Sequence, residues 1–351
     1  MATIYEVSKL AGVSLATVSR VINNSGRVTE KTRRKVETAM RQLGYRPNSI
    51  AQSLASSRSN SVGILVPELH GPFFNTMLSG VEAELREAGK HVFITVGHSD
   101  ETKELESIEF LVGRRCDALI LHVDAVADPY LLKLNEEVVP VVLINRTLRG
   151  LAGRCINLNN TRGGYLATKA LLERGHRSIA CITGPRWKRD ARQRLAGHRK
   201  ALAEAGVKPD PRLLVEGDFQ ESGGREGMAA LLRAGIPFTG LVCGNDTMAA
   251  GAIDAARDSG LSVPDDLSVV GFDNVTFARY MHPKLTTIDY PMVEMGQMAA
   301  RIVLKDVYDI DGPEIRNVFE PKIVERQSVT APARRPAARA AVRRQRKARP
   351  A

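Results

Sequence analysis

The chain has 351 residues, of which 43% are hydrophobic and 5% aromatic, so it can build roughly two or three domains with mainly aliphatic cores. No apolar run reaches the roughly 18 residues of a membrane span and no signal peptide is visible, so we expect no membrane partner. The four cysteines are far apart and form no CxxC pair, which excludes a zinc knuckle and a disulfide scaffold and indicates a cytoplasmic location.

The formal net charge of +11 is concentrated at the two ends of the chain. Residues 1–59 carry ten Lys or Arg against three Glu, and residues 332–351 carry seven Arg and one Lys with no acidic residue. The segment between them is slightly acidic, as in an ordinary globular domain. Two basic ends on such a body predict binding to a polyanion such as DNA.

Three short helices are predicted near the N-terminus. Thr3 and Glu6 have the spacing of a capping box, Ser14 and Thr29 can cap two further helices, and Gly12 suits the turn between the first two. This pattern predicts a helix-turn-helix, although a generic three-helix bundle with a solvated basic face is an alternative on composition alone. The residues expected to face its core are Val7, Leu10, Ala11, Val18, Val21, Ile22, Val36, Ala39, Met40 and Leu43.

The second helix of such a motif lies in the major groove of DNA. Arg20 can offer a bidentate guanidinium to guanine, and Leu15 and Ala16 can pack on thymine methyl groups. The candidate DNA-binding residues of this region are Thr3, Ser14, Leu15, Ala16, Thr17, Ser19, Arg20 and Asn23.

The string AGVSLATVSRVIN at 11–23 resembles the DNA-binding head of the LacI/GalR family of bacterial regulators, and the resemblance continues through YRPN at 45–48. It implies a DNA-binding domain at 1–47 and a hinge helix or linker at 48–60. In this family a hinge leucine, matched by Leu54, wedges into the minor groove of a pseudo-palindromic operator. Ala55 stands where relatives carry Lys.

From residue 61 onward, short β-rich runs alternate with amphipathic helical stretches. This alternation predicts an α/β fold with two largely parallel, doubly wound sheets and a boundary near Leu158. The predicted strands are at about 62–67, 91–97, 117–124, 140–145, 154–158, 177–184, 213–218, 240–246, 267–273 and 285–290.

Polar residues follow several of these strands, and ligands of such folds bind at the carboxyl ends of the strands. Carboxylate and amide oxygens accept from hydroxyls and a guanidinium donates to them, so a polyhydroxylated ligand fits. Alternatively, these Asn and Asp residues form turns or cap helices, and Asp246 fits a helix cap best. The strand-end pairs are Asn145-Arg146, Asp218-Phe219, Asn245-Asp246 and Asp273-Asn274.

This region also resembles the effector-binding domain of the same family, which is similar to periplasmic sugar-binding proteins. DARQRLAG at 190–197, NDTMAAGA at 245–252 and LTTIDYP at 285–291 are landmarks, and the galactose repressor and isorepressor branch is the most similar. The resemblance implies an effector-binding and dimerisation domain at 61–330. Its first subdomain would take about 61–158 and 291–318, and its second about 159–288 and 319–330. The implied effector-binding residues are Phe73, Phe74, Asn145, Arg146, Asp190, Arg194, Phe219, Asn245, Asp273 and Tyr290.

Motifs of nucleotide-binding enzymes, zinc proteases and serine hydrolases are missing, and the histidines have no metal-ligand spacing. We therefore expect no enzyme, no cofactor and no metal site. The Arg-rich tail at 331–351 is predicted to be disordered. It holds no leucine, whereas family tetramers use a C-terminal leucine heptad, so a homodimer is expected.

These observations predict a cytoplasmic, nucleoid-associated repressor of carbohydrate-metabolism genes that binds double-stranded operator DNA under the control of a small sugar. A regulator of the same fold that responds to a nucleoside, a purine or a sugar phosphate as corepressor is the first alternative. An α/β enzyme with a DNA-binding head and a sequence-independent DNA binder are two others. Trp187, the single tryptophan, is expected near the cleft as a specificity contact or a lid residue.

Overall fold

The computed structural model describes residues 2–23, 26–46 and 58–332. They form two compact units. We call the N-terminal unit, which extends to Ser61 and includes residues 115–117, the head, and the remaining larger unit the body. The expected hinge at 48–60, including Leu54 and Ala55, lies mostly outside the described residues, as does the basic tail at 331–351.

The described part of the head consists of three helices, α1 (Ile4–Ala11), α2 (Leu15–Ile22) and α3 (Glu30–Leu43). The side chains of Thr3, Ser14 and Thr29 each accept a hydrogen bond from a backbone N–H three residues further on. Helices α1 and α3 end at Gly12 and Gly44, whose φ angles of 63° and 59° lie in the left-handed region that favours glycine. The predicted helix-turn-helix is therefore confirmed, together with its caps.

The core of the head is aliphatic. Val7, Val18 and Val36, one from each helix, are completely buried. The expectation for Leu10 is wrong, because its side chain is 51% exposed. Leu10 is three residues after Val7 and lies at the margin of the apolar stripe, beside the polar side chains of α3 instead of in the core.

The first lobe of the body is built on a sheet of six strands in the order β11-β5-β4-β3-β1-β2. The pairings β1–β3, β3–β4, β4–β5 and β5–β11 are parallel. Its strands are β1 (Ser61–Val66), β2 (His91–Val96), β3 (Ala118–Leu121), β4 (Val141–Ile144), β5 (Cys155–Leu158) and β11 (Val318–Phe319). Its helices are α4 (Pro72–Glu87), α5 (Glu101–Gly113), α6 (Asp128–Glu137) and α11 (Met292–Tyr308).

The second lobe has a sheet of six strands in the order β12-β10-β9-β8-β6-β7. Strand β12 is antiparallel to β10, and the other pairings are parallel. The strands are β6 (Ile179–Thr183), β7 (Leu214–Glu216), β8 (Gly240–Cys243), β9 (Ser268–Asp273), β10 (Thr286–Asp289) and β12 (Lys322–Val324). The helices are α7 (Asn160–Glu173), α8 (Arg189–Glu204), α9 (Glu221–Ala234) and α10 (Asp246–Asp258).

All ten predicted strands are present, and the fold is the predicted α/β arrangement of two doubly wound sheets. Within the described residues the chain passes between the lobes three times, after β5, after β10 and after β11. Strands β11 and β12 were not predicted, because they have two and three residues and are too short to show an alternating pattern.

Helices α7 and α8 approach each other closely because two glycines face the opposite backbone. A Cβ on Gly164 would lie 2.0 Å from the carbonyl oxygen of Arg194, and one on Gly197 would lie 1.9 Å from that of Thr161. Any larger residue would push the helices apart. This contact fixes the start of α8, and thereby Arg194, against the sheet of the second lobe.

Candidate effector cleft and DNA-binding face

A cavity of about 360 Å³ lies between the lobes, within the size range of small-molecule sites. Its walls come from segments that follow β1, β2 and β3 in the first lobe and β6, β7, β8 and β9 in the second. The carboxyl ends of both sheets therefore face it, as expected for doubly wound folds. Seven predicted effector residues line it, namely Phe73, Phe74, Asp190, Arg194, Phe219, Asn245 and Asp273.

Arg194 is the central cation of this cavity, and its side chain is 8% exposed. Its Nε donates to Oδ1 of Asn160 at 3.0 Å, and its Nη1 donates to the carbonyl oxygen of Gly244 at 2.6 Å. The guanidinium carbon lies 3.7 Å from the ring centroid of Phe272, a cation–π geometry. Asp190, one helical turn earlier, places its Oδ2 3.8 Å from Nη2 of Arg194 and supplies the opposite charge. Arg194 is thus held rigidly before any ligand arrives.

Asp273 ends β9 with a φ of 108° and faces Arg194 with Oδ1 3.5 Å from Nη1. This oxygen is buried and accepts no hydrogen bond from any described residue. Burial raises the pKa of the Asp273 carboxyl well above its ordinary value, and the Arg194 charge only partly offsets that effect. A buried acceptor without a donor calls for an explanation such as an absent ligand, and a hydroxyl group is a suitable donor.

Aromatic rings form the apolar walls. Phe73 and Phe74, in the first turn of α4, contact each other edge to face with centroids 5.0 Å apart. Across the cavity, the ring of Phe219 lies directly against Gly184, where an added Cβ would come within 2.1 Å of it. Phe219 has a φ of 71°, and Asn245 Nδ2 donates to its carbonyl oxygen at 2.9 Å. Carbon-bound hydrogens of a sugar ring could pack on these faces.

The helix cap after β8 is Asn245, so the expectation that Asp246 caps α10 is wrong. Asn245 Oδ1 accepts from the Met248 N–H at 2.9 Å. Asp246 is instead completely buried and accepts from the Thr287 hydroxyl at 2.5 Å and the Val275 N–H at 2.9 Å. Burial raises the pKa of Asp246 to about 7. Through Val275 this carboxyl fixes the turn that carries Asp273.

Three predicted effector residues are not among those that line the cavity. Asn145 Oδ1 accepts from Asn160 at 3.1 Å. Arg146 pairs with Asp128 and donates to a backbone carbonyl of the first lobe. Tyr290 is buried edge to face against Phe73, with centroids 4.9 Å apart. Tyr290 thus packs on a residue of the cavity wall, and Asn145 contacts Asn160, which binds Arg194, whereas Arg146 contacts Asp128 of α6 and the segment after β3.

Several polar residues of the cavity wall were not predicted, namely Glu68, His70, Ser99, His122, Asp124, Lys188 and Gln220. All of them follow strands, so the strand-end signal that selected Asp273 applies to them as well. Trp187, which the sequence analysis placed near the cleft, lines the mouth and is 52% exposed. Among the described lining residues, two are cations, Lys188 and Arg194, and six are carboxylates, Glu68, Asp124, Asp190, Asp218, Glu221 and Asp273.

The outer face of α2 matches the predicted recognition surface. Leu15, Ala16, Arg20 and Asn23 are exposed, and Ser19 is half-buried. Thr3, Ser14 and Thr17 lie at helix starts, where Thr3 and Ser14 act as caps and Ser14 Oγ lies 2.9 Å from Thr17 Oγ1. Arg20 lies beside Gly26, where an added Cβ would be 3.5 Å from Arg20 Cδ. Arg20 thus projects from a folded, capped helix with its guanidinium exposed.

Two further properties of the described residues bear on function. No helix among them is long and apolar enough to cross a membrane. Nor do they contain a group of three or more His, Cys, Asp or Glu side chains placed to hold a metal ion.

Comparison with protein families gives two matches. Residues 3–48 match the bacterial regulatory proteins of the lacI family, and residues 168–329 match the periplasmic binding protein-like domain. Over 332 residues the chain is 43% identical to the HTH-type transcriptional regulator GalR of Escherichia coli (strain K12), which covers 95% of this chain and 97% of GalR.

Solved structures are similar over almost the whole chain. The lac repressor dimer bound to operator and the anti-inducer ONPF has a TM-score of 0.83 at 29% identity, covering 94% of this chain and 99% of that one. The complex of the transcriptional regulator CelR with cellobiose has a TM-score of 0.69 at 32% identity, covering 94% and 100%.

Proposed function

Because the chain belongs to the lacI family of bacterial regulatory proteins, we propose that it is a homodimeric repressor of carbohydrate-metabolism genes whose operator affinity is controlled by a small neutral sugar. The sugar binds in the cleft between the lobes and favours one of their relative orientations. Residues 48–60 transmit this change to the DNA-binding domain at 1–47. Such coupling requires that the sugar bind the two orientations with different affinity.

The observation that carries the sugar assignment is the unsatisfied Oδ1 of Asp273 beside Arg194. A sugar hydroxyl placed there donates to the carboxylate and accepts from the guanidinium, which satisfies both groups at once. The rings of Phe73, Phe74 and Phe219 supply the apolar faces that a pyranose also needs. The solved CelR structure holds cellobiose, which shows that this fold accommodates a sugar.

The charges of the cavity favour a neutral sugar over a sugar phosphate. The ammonium group of Lys188 is engaged by Asp124 at 2.9 Å, and the guanidinium of Arg194 by Asn160, Gly244 and Asp273. A phosphate would enter a cavity in which carboxylates outnumber cations, and it would lack a free basic partner. This argues against the sugar-phosphate alternative.

Operator binding rests on the head. Its exposed α2 face carries Arg20, and the segment 1–59 is strongly basic. Two heads in a dimer read two half-sites related by symmetry. In this proposal the hinge leucine, Leu54, wedges into the minor groove. The basic tail at 331–351 adds non-specific attraction to DNA.

The proposed dimer uses the edge of the first sheet at β2. Phe93 and Ile94 in this edge strand are 40% and 42% exposed. A second copy of this chain would cover these apolar side chains and the unpaired strand edge, which is otherwise an aggregation hazard. The lac repressor is a dimer in its operator complex.

The test is titration calorimetry with the whole protein. D-galactose, D-glucose and cellobiose represent neutral sugars, galactose 1-phosphate the phosphorylated class, and hypoxanthine the purines. We expect a neutral sugar to bind and to change the affinity for operator DNA in a gel-shift assay. Binding of the phosphate or the purine alone would overturn the sugar assignment, and consumption of a bound sugar would favour the enzyme alternative. Equal affinity for operator and random DNA would favour a sequence-independent binder.

A further inference from the structure

Lys188 joins the two lobes at the cleft. It lies immediately before α8 in the second lobe, whereas Ser99 and Asp124 follow β2 and β3 in the first. Lys188 Nζ lies 2.9 Å from Asp124 Oδ2 and donates to Ser99 Oγ at 2.8 Å. Ser99 Oγ in turn donates to Asp124 Oδ2 at 2.7 Å. Three polar groups from two lobes thus form a closed triangle.

This triangle is shielded from solvent. The side chains of Lys188 and Asp124 are 18% and 14% exposed. Burial alone would raise the pKa of the Asp124 carboxyl, but its pKa is lower than usual because His122, Lys188 and Ser99 oppose that effect. Asp124 is therefore an ionised partner for the ammonium group. Removing either partner of such a shielded pair is destabilising, because it leaves the other charge shielded without a partner.

The backbone turn after β2 places Ser99 at this position. His98 and Ser99 have φ angles of 53° and 52°, a left-handed backbone that turns the chain sharply after β2. A second contact between the lobes, from Gln220 to Glu68 and His70, lies at 3.1–3.2 Å but is partly exposed, and its ion pair, between Glu68 and His70, lies within the first lobe. The Lys188 triangle is the stronger of these two bridges.

We propose that Lys188, Ser99 and Asp124 are positioning residues that latch the two lobes together over the cavity. They set effector affinity through the population of the closed form. If the effector binds only the closed form, its apparent association constant is proportional to the fraction of protein that is closed. A smaller closed fraction therefore means weaker binding. An effector must also open the latch to enter or leave. The part of this inference that concerns the effector rests on the proposed function, whereas the latch itself does not.

The test compares variants of the full chain. Asp124→Asn breaks the ion pair. Lys188→Met combined with Asp124→Leu removes both charges, so no unpaired charge is left to unfold the protein. The exchange Lys188→Asp with Asp124→Lys reverses the pair and should restore the latch. The control is Glu84→Gln, since Glu84 pairs with Arg301 within the first lobe at similar burial, with side chains 18% and 20% exposed.

The first measurement, amide hydrogen exchange without any ligand, follows the loops at 97–100, 122–126 and 186–190. We expect faster exchange in Asp124→Asn and in the apolar pair than in the wild type. The reversed pair and Glu84→Gln should resemble the wild type. Equal exchange in all five proteins would overturn the latch. This result stands whether or not any sugar binds, so it separates failure of the latch from failure of the proposed function.

The second measurement is stopped-flow fluorescence of Trp187, the single tryptophan, next to Lys188, with the neutral sugar that binds the wild type. Without the latch both association and dissociation should accelerate, and the dissociation constant should rise roughly fivefold or more. The reversed pair should recover most of this loss. If it binds as weakly as Asp124→Asn while its loop exchange is normal, Lys188 and Asp124 contact the sugar directly and the positioning role is refuted.

Discussion

Nη1 of Arg194 lies 3.5 Å from Oδ1 of Asp273, and this oxygen accepts no hydrogen bond from any described residue. The two groups attract each other by charge but do not satisfy each other's directional needs. Arg194 already donates to Asn160 and Gly244, so the group that lacks a hydrogen-bond partner is the Asp273 carboxylate. A polar ligand that donates a hydrogen bond to this oxygen makes an interaction that the protein itself does not provide.

The first prediction concerns Asp273→Asn. We expect the loss of one charged acceptor to weaken sugar binding by about 1–3 kcal/mol. The free energy of unfolding should hold or rise, because a neutral amide costs less to bury than a carboxylate oxygen that accepts no hydrogen bond. Calorimetry and urea unfolding measure the two effects. Unchanged sugar affinity would show that the ligand does not contact Asp273.

The second prediction concerns Arg194→Ala. This change leaves Asn160 Oδ1 and the Gly244 carbonyl without their donor and the buried Asp273 without its counter-ion, so the free energy of unfolding should fall by about 3–5 kcal/mol. In the Asp273→Asn background the same change should cost less, because no buried carboxylate is then stranded. Urea unfolding of the four proteins in a double-mutant cycle gives the coupling, expected at about 0.5–3 kcal/mol. Zero coupling would mean that the two side chains act independently.

The strand-end rule predicted much of the cavity because carboxyl ends of parallel strands meet at one edge of a sheet. It selected Asp273 and Phe219, whereas Arg194 came from the family resemblance. It could not find the Lys188–Asp124 pair, since such a contact depends on how two lobes face each other, which no local pattern records. The helix cap after β8 was predicted one residue too late, at Asp246 instead of Asn245, because both residue types are good cap formers.

The limits of pattern reading are also visible in Tyr290 and Leu10. Tyr290 directly follows β10 and was expected to contact the ligand; its ring packs against Phe73 and is not among the residues that line the cavity, so the contact stays a prediction. Leu10 has the helical spacing of a core residue, yet the packing of α1 on α3 leaves it half exposed. In both cases tertiary packing decides between positions that the sequence pattern treats alike.

The third prediction concerns pH and Asp246. Burial raises its folded-state pKa to about 7 from an ordinary value of 3.8, so between these two pH values Asp246 holds a proton in more of the folded protein than in the unfolded chain. Stability contributed by this group is therefore present at low pH and lost as the pH rises toward 7, with a total of roughly 4 kcal/mol. Asp246→Asn should flatten this slope, because an amide does not titrate in this range. The variant should still fold, since the amide can accept from Val275 and can donate to Thr287.

The measurement is urea unfolding of the wild type and Asp246→Asn at several pH values between 4 and 8. Asp210→Asn is the control, since the Arg212 guanidinium lowers the pKa of Asp210 to about 2, outside this window. The prediction fails if the difference in unfolding free energy between wild type and Asp246→Asn does not change with pH.

The fourth prediction concerns Arg20→Ala. Loss of the exposed guanidinium on α2 should weaken operator binding by about 1–3 kcal/mol per half-site and relax the base preference at one symmetric pair of positions. Arg34→Ala removes an exposed cation of α3 that pairs with Glu30 at 3.0 Å, and should leave the base preference unchanged. Binding to a library of operator variants distinguishes the two. Equal loss on all sequences for both variants would remove Arg20 from base recognition.

The last prediction concerns the sheet edge at β2. Phe93→Lys places a charge on the exposed edge where Phe93 and Ile94 form the proposed dimer contact, and a charge buried in an interface without a partner is strongly unfavourable. We expect sedimentation to show a shift from dimer to monomer and gel shifts to show weaker operator binding, because the two half-sites are then bound independently. Val318→Lys is the matched control, since Val318 is 57% exposed on β11, the opposite edge of the same sheet. Sugar binding should survive in both variants, because neither residue lines the cavity. A dimer that persists in Phe93→Lys but dissociates in Val318→Lys would move the interface to the β11 edge.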